Sequence, residues 1–124
     1  MTKVEQWVEI YRSRTYGEIK AALETFYKIK YWHDLHVALW TWLSLDGERE
    51  KKEWFEMFDV PRVTHYCFAC EAAKKCVNCP LPRITVNEGE CANGPSAKWV
   101  STHKIAEREE LAREVAEQEW NGQK

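Results

Sequence analysis

Cys67 and Cys70, then Cys76 and Cys79, form two C-x-x-C units five residues apart in the stretch CFACEAAKKCVNCP, residues 67 to 80, and Cys91 follows. In a C-x-x-C knuckle the turn aims both thiolates at one point, and two knuckles supply the tetrahedral four-sulfur shell that zinc accepts. The expected cofactor is therefore Zn2+, held by four of the five cysteines. The separator is shorter than in most zinc ribbons, so two shells are open: Cys67 and Cys70 are completed by Cys76 and Cys79, or by Cys79 and Cys91. An iron–sulfur cluster on the same thiolates, a pair of redox-active dithiols and unliganded cysteines are the competing readings. His65, two residues before the first knuckle, is a possible substitute for one sulfur. Nothing beside the cluster offers the open coordination position and general base of a catalytic zinc, so the expected metal is structural.

Other chemistry-bearing residues give weaker signals. His33 and His36 stand three apart on one helix pattern, close enough to share a metal, but without a third partner they read as partly buried or surface histidines, hydrogen-bonded near the helix junction. His103 is isolated. There is no Gly-rich phosphate loop, nucleophile elbow, HExxH or paired-carboxylate pattern. Trp40, Trp42 and Trp54 are concentrated in HVALWTWLSLDGEREKKEWFEMF, residues 36 to 58. Successive helical positions turn by 100°, which puts Trp40 and Trp42 about 200° apart, so they cannot enter the same side of a core. These three tryptophans are the candidate partner-binding residues; burial beneath the cysteine segment is the alternative.

The elements that must carry these groups read as mainly helical. Thr2 with Glu5 and Thr15 with Glu18 match the capping box, so helices are expected over about 3–13 and 16–45, the latter with a kink or break near Lys30 to Asp34 and a stop at Asp46-Gly47. A shorter helix is expected over about 48–58, ended before Pro61, and a last one over about 99–120 with an acidic outer face. All four prolines and all five cysteines lie between residues 60 and 95, with only two brief β-like runs, Val63 to Tyr66 and Ile84 to Val86. A stretch so rich in loops needs an external tie. Structural zinc is worth roughly 10 to 16 kcal/mol in small peptides, more than the usual stability of a whole domain. The expected fold class is a mainly α, single domain over residues 1–124 with a loop-rich zinc-knuckle insertion.

Composition bounds the function classes. The 124 residues carry a net charge of -2, which argues against a phosphate-binding footprint over the whole surface. No apolar run approaches the ~20 residues of a membrane span. The N-terminal MTKVEQWVEIYRSR interleaves charged and apolar positions unlike a secretory signal, so a reducing cytosol is expected, where clustered and odd-numbered cysteines point to metal rather than disulfides.

HVALWTWLS, then KKEW, then YCFACEAAKKCVNCPL, then Cys91 and the helix REELAREVAE together resemble a family of small proteins of unknown function encoded by bacteriophages and prophages of Gram-positive bacteria. The resemblance covers roughly residues 33 to 118. It maps His36, Trp40, Trp42, Leu43 and Trp54 onto the family's tryptophan helix and lysine-tryptophan motif, and the five cysteines onto its cysteines. The sequence departs in the short separator and in PLPR where a Trp is expected. What the resemblance implies is a phage accessory protein of the host cytoplasm, with no reaction attached. The expected function is non-enzymatic binding of a host or phage macromolecule, with the countering of a host defence system as one purpose and a protein as the first candidate partner. The alternative is a single-stranded nucleic-acid-binding zinc-knuckle protein using Lys74, Lys75, Arg83, Phe68 and Tyr66. A small nucleotide held in an aromatic pocket is also compatible with the composition.

Overall fold

The structure is a computed structural model that describes residues 2–63, 68 and 99–117. The architecture is mainly helical, with no strand among the described residues: α1 is Lys3–Ser13, α2 Tyr16–Lys28, α3 Trp32–Ser44, α4 Lys51–Met57 and α5 Ile105–Glu117.

Both expected capping boxes are formed. Thr2 Oγ1 accepts from the Glu5 N–H at 3.1 Å while Glu5 Oε1 accepts from the Thr2 N–H at 3.2 Å. Thr15 and Glu18 repeat the pattern at 3.2 and 3.1 Å. Each box satisfies two amides that the helix cannot pair internally.

The helical stretch expected over 16–45 breaks where a break was expected, near Lys30, and forms two helices. Lys30 takes a left-handed conformation with φ 58°. The Tyr31 N–H then donates to the Phe26 carbonyl at 3.0 Å and the Lys30 N–H to the Tyr27 carbonyl at 3.1 Å, the paired bonds of a Schellman cap. The apolar contact that accompanies such caps is the Phe26–Tyr31 ring pair, 6.2 Å between centroids. α4 ends the same way: Asp59 has φ 52° and the Val60 N–H reaches the Phe55 carbonyl at 3.1 Å.

Helix α3 is the axis of the fold. Its residues Leu35 to Leu43 are all buried, and it packs against each of the other four helices, most extensively against α5. A helix apolar around its circumference must be enclosed, and the others divide its surface between them. α1 contributes Val4 and Trp7, α2 Ile19 and Leu23, α4 Trp54 and Phe55, and α5 Leu111, Ala112, Val115 and Ala116. Ala112 and Ala116 are small enough for α5 to lie close along α3.

Gly47 follows the end of α3, as expected of a helix stop, and has a second task. α3 already ends at Ser44, and a Cβ on Gly47 would fall on the Ile105 carbonyl oxygen and within 2.7 Å of Ile105 Cγ2. The turn after α3 therefore abuts the first residue of α5. The Gly47 N–H donates to Glu109 Oε2 at 2.9 Å, and Arg108 Nη2 donates to the Arg49 carbonyl at 3.2 Å and pairs with Glu50 Oε1 at 3.0 Å.

Candidate functional site

Cys67, Cys70, Cys76, Cys79 and Cys91 lie outside the described residues, as do His65, Tyr66, Lys74, Lys75 and Arg83. Among the described residues no group of three or more His, Cys, Asp or Glu side chains is placed to hold a metal. What the structure does place are Phe68, within the first C-x-x-C, and Trp99, beyond the last cysteine.

Phe68 is the residue after Cys67, inside the first C-x-x-C, and it is fully buried. Its ring stacks on Trp32 at 6.1 Å and on Phe55 at 5.4 Å, and meets Trp54 edge to face at 5.8 Å. Such pairs add about 0.5 to 1.5 kcal/mol each beyond the area they bury. Trp99, also buried, meets Trp40 edge to face at 5.1 Å, and the Arg108 guanidinium lies 4.4 Å from its ring centroid. Phe68 thus ties its end of the stretch to α3 and α4, and Trp99 ties the other end to α3 and α5.

The candidate partner-binding tryptophans are core residues, with Trp40, Trp42 and Trp54 at 5%, 4% and 0% exposure. Trp40 faces Trp99; Trp42 meets Phe58 edge to face at 6.3 Å and carries the Arg49 guanidinium 4.3 Å from its ring centroid. The two leave α3 on different sides, as their spacing requires, and both sides are covered. Trp54 Nε1–H donates to the Tyr11 hydroxyl at 3.1 Å, which donates to the Ala38 carbonyl at 2.7 Å. This chain of bonds ties α4 through α1 to the middle of α3. Burial pushes the Tyr11 hydroxyl well above its ordinary pKa, so it stays a donor.

His36 is buried, and its Nε2 lies 3.3 Å from the Val115 carbonyl oxygen, so the neutral ring with a proton on Nε2 bonds α3 to α5. Burial holds its pKa down at about 3. Partial burial lowers His33 as well, and the two rings lie 6.4 Å apart, tilted by 39°. The expectation of hydrogen-bonded structural histidines describes His36 in kind but understates its depth.

Arg12, Arg14 and Arg49 line a cleft of about 310 Å³ floored by Tyr11 and Trp42 and bordered by Tyr16, with no carboxylate among its lining residues. Because the arginines come from α1, the turn after it and the turn after α3, no basic run in the sequence announces them.

No protein-family model, curated protein or solved structure matches this chain. No helix among the described residues is long and apolar enough to cross a membrane.

Proposed function

We propose that the chain is a zinc-stabilised, non-enzymatic phage accessory protein that binds a host or phage macromolecule, with Zn2+ held by four of Cys67, Cys70, Cys76, Cys79 and Cys91. The observation that carries this reading is the burial of Phe68 inside the first C-x-x-C. With Phe68 seated in the core, the first C-x-x-C unit is tied by that one residue to the packed helices. Metal ligation in that segment then couples directly to the packing of α3 and α4. The reading of the partner as a macromolecule, and of the chain as a phage product, rests on the resemblance of the ordered motifs.

The test is elemental. Purified protein should contain about one zinc per chain, and Cys67→Ser and Cys70→Ser should each lose both the metal and the cooperative unfolding transition. Full zinc content and an unchanged melt in both variants would overturn the proposal. The strand-binding alternative at the knuckles loses one of its stacking rings, because Phe68 is enclosed by Trp32, Trp54 and Phe55. A gel shift that weakens with salt, abolished by neutralising Lys74 and Lys75, would restore it.

A further inference from the structure

We infer that the cleft between α1, the start of α2 and the turn after α3 binds one nucleotide unit, its phosphate against Arg12, Arg14 and Arg49 and its base against Tyr16. This inference does not depend on the metal.

Three guanidiniums line one cleft in a chain of net charge -2, and with two of them ion-paired the third leaves the cleft a local positive excess. Two acids border it: Glu18 Oε2 lies 3.5 Å from Arg14 Nη1, and Asp46 Oδ2 is 4.0 Å from Arg49 Nε. The Arg12 side chain is exposed and, among the described residues, makes no ion pair or side-chain hydrogen bond. Arg49 is preorganised, since it lies over the Trp42 ring and its Nη1 donates to the Trp42 carbonyl at 2.8 Å. Guanidinium forks match phosphate oxygens in geometry and charge, and holding the fork in place beforehand reduces the entropy lost on binding.

Tyr16 separates a nucleotide from a bare anion. It is 52% exposed, yet its ring is fixed: one face stacks on Phe58 at 5.7 Å and 22°, and its hydroxyl donates to the Met57 carbonyl. A tyrosine pinned in this way, beside guanidiniums, has the form of a stacking platform for a planar base. The cleft volume lies at the small end of ligand sites, the size for one nucleotide rather than a folded partner. The same chemistry is offered by a free mononucleotide and by one unit of a single strand.

Isothermal titration of the full chain at low salt, with adenosine 5′-monophosphate, adenosine, inorganic phosphate, a single-stranded adenylate hexamer and hexaglutamate as probes, tests this. The monophosphate or the hexamer should bind at least tenfold more tightly than adenosine, phosphate or hexaglutamate; whichever of the two is tighter identifies the source as free nucleotide or strand. Arg12→Gln should weaken that binding about tenfold without changing the thermal melt, and Tyr16→Leu should weaken it similarly. No binding of either nucleotide probe, phosphate as tight as the monophosphate, tighter binding of hexaglutamate, or affinity unchanged in Arg12→Gln would each overturn the inference. The exposed Arg12 keeps the test decisive should Tyr16→Leu impair folding.

Discussion

His36 is neutral in the folded chain because burial between α3 and α5 strips solvent from the ring and penalises the charged imidazolium. The unfolded chain restores an ordinary histidine that takes up a proton near pH 6.5. Below that pH the unfolded state binds a proton the native state refuses, so stability is fully present above about 6.5 and is lost as pH falls toward 3. Between pH 7 and pH 5 the share due to this residue is about 2 kcal/mol. Urea unfolding at the two pH values should show that difference in the native chain and a smaller one in His36→Gln, which keeps a side-chain N–H donor but does not titrate. Equal slopes in both proteins would locate the acid sensitivity elsewhere. The H-x-x-L-W-x-W-L spacing placed His36 on a helix, but its depth was not legible. Depth is set by α5, which arrives far along the chain and whose contact with α3 no local pattern encodes.

At the scale of elements, what could be read in advance was whatever local chemistry decides. Thr2–Glu5 and Thr15–Glu18 start α1 and α2 because a hydroxyl and a carboxylate three residues apart close on the same amides in any context. A break near Lys30 followed from the length of the helical stretch, but the form of its cap did not, because a left-handed cap normally advertises itself as glycine and here the residue is Lys30. Gly47 was half legible. It looked like a helix stop, and α3 does end just before it, but it also serves as a gap into which the Ile105 backbone fits. Gly47→Ala should therefore cost about 1 to 3 kcal/mol, as overpacking against backbone does. Because the Gly47 N–H also anchors Glu109, the loss should appear as faster amide exchange in the first turn of α5. A variant as stable as the native chain would show that the turn and α5 can separate freely.

Across the whole molecule, aromatic rings connect what the helices alone would leave apart. Tyr27, Trp32, Phe68, Phe55, Trp54 and Phe58 touch in succession, and the cysteine-bearing stretch joins that succession at Phe68. Phe68→Ala should lower the unfolding free energy by about 3 to 5 kcal/mol, measured by denaturant titration with zinc supplied. A loss below about 1 kcal/mol would mean that the ring fills space without anchoring its segment. The helical class and the aromatic wealth were visible in the sequence. The arginine cleft was not, since Arg12 and Arg49 come to line one cleft only after α3 has been enclosed. That enclosure has a cost during synthesis. His36 and its acceptor on α5 are 79 residues apart, so at 5 to 20 residues per second a ribosome needs about 4 to 16 s to deliver the second after the first. Throughout that interval the nascent chain carries a tryptophan-rich, greasy rod missing one wall. In a crowded translating cell that window, rather than the finished protein, is where chaperones and aggregation compete for it.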